Sequence, residues 1–138
     1  MRYYLDTNIL MFVLLKENSN IHYTIREILD NYSNLFYVSS VVVKEIVFLL
    51  RIGKLKSKIY KSEKDILDFI NNFGIQIVVF NEKHLNTYLN LTIAENHKDM
   101  NDHAIIAQAI SDKISLISSD REFEKYIQQG LLFVYNKR

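Results

Sequence analysis

The sequence has 138 residues, of which 49% are hydrophobic and 24% charged, with a formal net charge of +1. These values predict one globular domain spanning residues 1–138, and they argue against a disordered, fibrous or multidomain chain. A net charge this small means that any grip on nucleic acid must come from a local basic patch, and the absence of cysteine excludes disulfides and thiolate zinc sites.

No stretch of the sequence resembles a membrane span or a signal peptide. The longest wholly apolar run, Ile9 to Leu15, is far too short to cross a bilayer, and Asp6 lies where the apolar part of a signal peptide would begin. The lack of cysteine also fits a reducing compartment. We therefore expect a soluble cytoplasmic protein with no membrane partner.

The first predicted strand ends at an acid. Tyr3 to Leu5 form a short β-favouring apolar run, and Asp6 follows it directly. In open α/β sheets ligands bind at the carboxyl ends of the strands, so Asp6 is a candidate metal ligand or catalytic group. The alternative is that Asp6 or Thr7 only caps the helix that follows.

The remaining chain alternates between helices and strands. Periodicity, caps and glycine terminators predict helices over 9–15, from Ile21 to Tyr32 with Asn20 as cap, over 41–52, between Ser62 and Gly74, over 82–91, over 102–110 and from Asp120 to Gly130. The later strands are expected at 35–38, 75–80, 114–117 and 131–135, with 75–80 central in the sheet because it is apolar on both faces. This order predicts a three-layer α/β/α sandwich around a parallel sheet of four or five strands.

The helix predicted at Val41 to Ile52 is apolar nearly all round, so it must be buried or lie in an interface. Glu45 stands within it, one turn after the second strand, and can face the strand ends. The alternative is that Lys44 and Glu45 mark a narrow solvent-exposed stripe.

A concentrated basic span follows this helix, with Tyr60 among its cations. It can contact phosphates, although lysines on a connecting loop are more often simply solvated. Its members are Arg51, Lys54, Lys56, Lys58, Lys61 and Lys64.

Four acids are expected to converge on one crevice. Asp6 and Asp120 follow strands, Asp102 opens a helix that returns over the same edge, and Glu45 joins them. Ser119 and Glu122 have capping-box spacing, which places Asp120 in the first turn of its helix. Because clustered carboxylates raise one another's pKa, a divalent cation would relieve their repulsion. Oxygen-only ligation favours Mg²⁺ or Mn²⁺ over zinc, since no two of the four histidines have a paired zinc spacing.

These motifs together resemble the PIN domain, specifically its VapC-type toxin nucleases. The resemblance rests on Leu5 to Leu10, the Glu45 helix, Asp102 with Ile105-Ile106-Ala107-Gln108-Ala109, and Leu116 to Asp120. The stretch from His97 to His103 is similar to a subgroup pattern His-x-Asp-Pro-Phe-Asp-Arg, in which Met100, Asn101 and His103 here replace Pro, Phe and Arg. This departure affects the loop before Asp102 and leaves the acids in place.

The resemblance implies a metal-dependent endoribonuclease that forms a dimer, is blocked by a small antitoxin and leaves 5′-phosphate and 3′-hydroxyl ends. Its acidic site would be Asp6, Glu45, Asp102 and Asp120, of which Asp6 and Asp120 are expected to bind the metal directly and the other two through water. Thr7, Asn8 and Ser118 match the family's polar supports, and would orient the carboxylates. Asp99 is a fifth acid, expected to be peripheral.

Two other classes of function stay open on the sequence. A phosphate-receiver domain is also a small parallel α/β protein with acids at its strand ends, although receivers normally continue into a helix after the last strand and this chain stops at Arg138. The second alternative is a catalytically silent module that binds RNA or protein. It predicts RNA binding that is indifferent to Mg²⁺ and to loss of the acids.

Overall fold

The computed structural model describes residues 1–137 and contains one parallel sheet. Its strands are β1 (Arg2–Leu5), β2 (Leu35–Ser39), β3 (Gln76–Val78), β4 (Ser115–Ser118) and β5 (Phe133–Tyr135). Their order across the sheet is β3-β2-β1-β4-β5, and every neighbouring pair is parallel. The chain therefore builds outwards from β1 in one direction and then returns to place β4 on the other side. This makes the carboxyl ends of β1 and β4 the switch point, where open α/β sheets bind ligands.

Along the chain, helices connect the successive strands, as right-handed parallel connections require. They are α1 (Thr7–Leu14), α2 (Tyr23–Asp30), α3 (Ser40–Arg51), α4 (Glu63–Asn72), α5 (Glu82–Leu89) and α6 (Met100–Asp112), with 3-10 helices at Asn18–Asn20 and Arg121–Gln129. The predicted sandwich with a central parallel sheet is confirmed, with five strands.

Within residues 1–137, no helix is both long and apolar enough to cross a membrane.

The core lies where helices cover the centre of the sheet. Leu5 on β1, Val38 on β2 and Leu116 on β4 are fully buried, as are Ile46 on α3 and Ile106 on α6. Burial of this apolar surface is the main force that holds the helices onto the sheet. It also fixes the strand ends, and with them the side chains that follow β1 and β4.

The prediction that 75–80 forms a central strand is wrong. β3 is only three residues long and lies at the edge of the sheet, and Val79 is 66% exposed. The apolar character of this run has a different origin: Ile75 is buried in the core, and Ile77 and Val78 pack partly against it. An apolar run therefore indicates that neighbouring elements bury its side chains. It does not distinguish a central strand from a buried edge strand.

Two predicted helix faces also differ from the structure. In α5, the apolar spacing predicts that Leu85, Tyr88 and Leu89 face inward, but Leu89 is 72% exposed. His84 is buried instead, and its ring accepts a hydrogen bond from the Asn81 backbone and contacts Asp112. The second predicted helix begins after His22, whose ring caps it instead of Asn20, and Tyr32 at its far end is fully exposed. In both helices, polar capping contacts determine where the helix begins and which of its faces is buried. Apolar spacing alone does not predict these contacts.

Candidate metal centre

Asp6 lies between β1 and α1 and is almost fully buried. Its Oδ1 accepts a hydrogen bond from the Thr7 backbone N–H at 2.8 Å, and its Oδ2 accepts one from the Ser118 hydroxyl at 2.6 Å. Asp6 is thus the N-cap of α1 and also sits at the switch point. The two functions weighed from the sequence are compatible, because a cap uses one carboxylate oxygen and leaves the other free for a different partner.

Asp120 lies beyond β4, across the same crevice. It is itself the N-cap of the 3-10 helix that begins at Arg121, since its Oδ1 accepts from the Glu122 N–H at 2.9 Å. The predicted capping box with Ser119 as cap is therefore wrong. The Asp120 N–H donates to Ser118 Oγ at 3.0 Å, so Ser118 connects Asp120 to Asp6.

Glu45 reaches the crevice from the second turn of α3 and is half-buried. Its Oε1 accepts a hydrogen bond from the Thr7 hydroxyl. Thr7 and Ser118 thus each donate a hydrogen bond to one of these carboxylates. Asn8 is exposed and, within residues 1–137, makes no hydrogen bond to an acid of this site.

Asp102 lies in the first turn of α6, and Asp99 is the N-cap of that helix. Asp99 Oδ1 accepts from the N–H groups of Asn101 and Asp102 at 2.9 and 3.3 Å. Asp99 therefore shapes the loop in which Met100 and Asn101 replace the subgroup's Pro and Phe. Its cap fixes the Asp102 backbone without need of a proline.

The structure brings one residue to the site that sequence reasoning missed. One ligand atom each of His97, Asp102 and Asp120 lies within 4.8 Å of the other two. His97 Nε2 is 3.2 Å from Asp102 Oδ2, and His97 Nδ1 is 2.7 Å from the Tyr126 hydroxyl oxygen. His103 Nε2 lies 2.9 Å from the His97 carbonyl oxygen and holds the loop in place.

Ligand spacing along the sequence does not indicate this group, because His97 lies in a loop, Asp102 at a helix start and Asp120 after a strand. The sequence carries a weaker indication of His97. It is the first residue of the stretch that resembles the subgroup pattern, five residues before Asp102. It is also buried within an otherwise polar and largely exposed loop.

The electrostatics of the site are those of crowded, desolvated acids. Burial raises the pKa of Asp6 to about 7, with smaller contributions from the charges of Asp102 and Glu45, against the hydrogen bonds from Ser118 and Thr7. Burial likewise raises the pKa of Asp102 to about 7, and the charges of Asp99, Asp120 and Glu45 add to it. Each acid therefore resists ionisation because of its burial and its neighbours.

The donor groups fit a divalent cation. Ligands at adjacent corners of an octahedron of radius about 2.1 Å are about 3 Å apart, close to the separation of His97 Nε2 and Asp102 Oδ2. A cation would also offset the repulsion that raises the two pKa values. The donor set that the geometry offers is nitrogen and oxygen rather than oxygen alone.

A groove of about 560 Å³ opens beside the site along the outer face of α3. It is lined by Lys44, Glu45, Val47, Phe48, Leu49, Arg51 and Asn101. Arg51 is the member of the predicted basic span that lines the groove, and its guanidinium pairs with Glu63 at 2.6 Å. Lys54, Lys56, Lys58 and Lys61 are exposed beyond the end of α3.

Comparisons with known proteins agree with this architecture. The family model described as PIN domain matches residues 3–127. No curated protein sequence gives a significant match. Among solved structures, the chain is similar to VapBC2 of Rickettsia felis bound to a promoter DNA fragment, with a TM-score of 0.68, 22% identity and coverage of 99% of this chain and 100% of the other.

Two further structures have the same fold at lower identity. DNA-bound VapBC from Salmonella typhimurium gives a TM-score of 0.66 at 18% identity, covering 98% of each chain. VapBC-5 from Mycobacterium tuberculosis, a member of a toxin–antitoxin family, gives 0.59 at 16% identity, covering 99% of this chain and 98% of the other.

Proposed function

Since this chain belongs to the PIN domain family, we propose that it is a metal-dependent endoribonuclease and the toxin of a toxin–antitoxin pair, acting as one PIN-like domain. The observation that carries the proposal is the convergence of Asp6, Glu45, Asp102 and Asp120 at the switch point of the sheet, where burial and mutual repulsion raise two of their pKa values. Acids with raised pKa values lower the stability of the folded chain at neutral pH. Their presence together therefore favours a function for the cluster.

A divalent cation, Mg²⁺ or Mn²⁺, would supply Lewis acidity toward water and the phosphoryl oxygens of the scissile bond. Asp102 and Asp120, which group with His97 within 4.8 Å, would offer carboxylate oxygens to that cation, whereas the resemblance implies Asp6 and Asp120 as its direct ligands. Asp6 and Glu45 are held by Ser118 and Thr7, so that their charges face the same crevice. These hydroxyls fix the carboxylate rotamers before substrate arrives, which is the main contribution a protein makes to this class of reaction. No protein nucleophile is required.

The strand order argues against a phosphate-receiver domain. Receivers have the flavodoxin-like order 2-1-3-4-5, in which the third strand lies next to the first. Here the order is 3-2-1-4-5, and β3 lies at the edge beside β2. A catalytically silent module would bind RNA through the same fold without cleaving it.

We propose that the antitoxin docks in the α3 groove. The groove is apolar over Val47, Phe48 and Leu49, is flanked by Lys44 and Arg51, and has Glu45 in its wall. A segment that fills it would reach the catalytic crevice and block it. The similar VapBC-5 is described as a member of a family of toxin–antitoxin systems, and this supports a protein partner of the same kind.

We also propose a homodimer through the outer, C-terminal part of α3. Ile52, directly after α3 and outside the lining of the groove, is 47% exposed, and the sequence predicts that this helix is buried or lies in an interface. Leaving such apolar surface in water is unfavourable, so a second copy is its expected cover. Sedimentation of the protein at high micromolar concentration should give a dimer, and a strict monomer would remove this proposal.

The test of the proposed function is cleavage of RNA by the purified chain. We expect cleavage with millimolar Mg²⁺ or Mn²⁺, none in excess EDTA, and none from an Asp6→Asn or Asp120→Asn variant that still folds. The products should carry 5′-phosphate and 3′-hydroxyl ends. RNA binding without cleavage, unaffected by metal or by these variants, would instead identify a silent binding module.

A further inference from the structure

We infer that His97 is a direct ligand of the metal held by Asp102 and Asp120, so that the site prefers a first-row transition metal such as Mn²⁺ to Mg²⁺. The inference deepens the proposed function and rests on it only for the presence of a cation at these acids. It differs from the sequence-based expectation of oxygen-only ligation. Three observations support it.

The first observation is the geometry of the imidazole. His97 Nε2 is 3.2 Å from Asp102 Oδ2, and both lie within 4.8 Å of a carboxylate oxygen of Asp120. One cation can contact groups spaced in this way after small rotations of the side chains. Among residues 1–137, these three side chains form the group of at least three His, Cys, Asp or Glu residues whose ligand atoms lie within 4.8 Å of one another.

The second observation is the partner of the other ring nitrogen. His97 Nδ1 lies 2.7 Å from the Tyr126 hydroxyl, which also accepts the Ala94 N–H at 3.1 Å. In the metal-free chain the Tyr126 hydroxyl, which accepts from Ala94, can donate to Nδ1, and Nε2–H then donates to Asp102 Oδ2. With a cation on Nε2, the ring proton would lie on Nδ1 and be donated to the Tyr126 oxygen. A metal-bound histidine commonly has this arrangement, with its second nitrogen donating to a fixed acceptor.

The third observation is that the loop carrying His97 is fixed from behind. The His97 ring is buried although Asn96 and Lys98 on either side are exposed. Its carbonyl accepts from His103 Nε2, and the two rings meet edge to face with centroids 4.7 Å apart. The position of the ligand is therefore built into the apo fold.

The consequence is metal selectivity. Mg²⁺ prefers an all-oxygen shell and loses water reluctantly, whereas first-row transition metals, Mn²⁺ included, accept imidazole nitrogen more readily than Mg²⁺ does. One nitrogen with two carboxylates should therefore bind Mn²⁺ more tightly than Mg²⁺. Replacing the nitrogen by an amide oxygen should remove much of that difference.

The test uses the full chain loaded with Mn²⁺ and pulsed electron paramagnetic resonance, which detects nitrogen bound to manganese without any need for catalysis. We expect nitrogen modulation in the wild type, its loss in His97→Gln, and its retention in His22→Gln, since the His22 ring caps α2 and contacts none of the acids. Titration calorimetry should show Mn²⁺ bound about 10-fold or more tightly than Mg²⁺ in the wild type, and a smaller ratio in His97→Gln.

Tyr126→Phe supplies a second variant that keeps the imidazole and removes its acceptor. It should retain the nitrogen modulation and weaken Mn²⁺ binding by about 10-fold, as is usual for loss of a hydrogen-bonding partner behind a ligand. Bound Mn²⁺ with no nitrogen modulation in the wild type, or no Mn²⁺ binding at all, would overturn the inference. Failure of RNA cleavage with the modulation present would instead overturn the proposed function alone, so the two failures are distinguishable.

Discussion

Each end of α6 carries a cluster that joins a buried histidine and a buried tyrosine to a partly buried aspartate. At its C-terminal end Asp112 accepts from the Tyr4 hydroxyl at 2.6 Å and lies 2.9 Å from His84 Nε2. His84 Nδ1 accepts the Asn81 N–H, so Nε2 carries the proton and donates to Asp112. One acid thus meets two donors, so hydrogen-bond donors and acceptors are balanced in this cluster.

The cluster at the N-terminal end has the same residue types and a different balance. Asp102 faces one imidazole, but Asp6, Glu45, Asp99 and Asp120 all act on the same crevice. The acids outnumber the groups that could compensate them. The difference shows that a buried His-Asp-Tyr contact is not by itself evidence of a functional site, whereas an excess of one charge at the switch point is.

The largest expected effect separates the two clusters by activity. Asp102→Asn should lower metal-dependent RNA cleavage by about 100-fold or more, because it removes a charged ligand rather than only an outer partner. Asp112→Asn, the same change ten residues along α6, should leave cleavage by the folded protein within a few-fold of wild type. Initial rates at saturating Mn²⁺, normalised to the folded fraction, measure both. Equal losses in the two variants would mean that the clusters are not functionally distinct.

The second expected effect concerns pH. Folded-state pKa values of Asp6 and Asp102 near 7 lie above those of unfolded aspartate, near 4. Between these values the unfolded chain has lost its proton and the folded chain has kept it. Stability of the metal-free protein should therefore fall as pH rises from about 4 to about 7, by on the order of 2 to 4 kcal/mol, and remain lower above that.

Urea denaturation in EDTA at a series of pH values measures this fall. Asp6→Asn should flatten it and raise the stability at pH 7, while Asp112→Asn should leave the slope unchanged. Saturating Mn²⁺ should also offset the loss, because the cation binds the ionised form. A metal-free protein whose stability is constant over this range would show that the acids do not share a crevice.

A smaller effect is expected at the balanced cluster. Asp112→Asn leaves one acceptor oxygen for two donors, Tyr4 and His84, and places an amide donor beside them. A buried donor without a partner costs about 1 to 3 kcal/mol. The denaturation midpoint at pH 7 should fall accordingly, whereas the same measurement on Asp120→Asn should show no loss, since asparagine is also a good N-cap. A destabilised Asp120→Asn with an unaffected Asp112→Asn would reverse the assignment.

The contrast between the clusters also explains what the sequence could predict. Alternating apolar runs and glycine terminators, such as Gly130 with φ of 105°, predicted the α/β order and placed Asp6 and Asp120 after strands. Those signals are local, as strand ends and caps are. The order of the strands in the sheet and the position of His97 beside the acids depend on long-range packing. No local spacing in a single sequence predicts such contacts.

The smallest expected effect concerns the basic span beyond α3, which is exposed and lies away from the acids in sequence. Lys54 and Lys58 are hypothesised to contact RNA phosphates. Each such contact releases counterions, so Lys54→Glu with Lys58→Glu should flatten the slope of log affinity against log salt by roughly 1 to 1.5 for single-stranded RNA. The control is Lys83→Glu with Lys113→Glu, which makes the same change in net charge at exposed positions on other elements. Binding is measured by fluorescence anisotropy in EDTA, so that cleavage does not interfere. If both double variants change the slope equally, these lysines act only through net charge, and the basic span is a solvated loop.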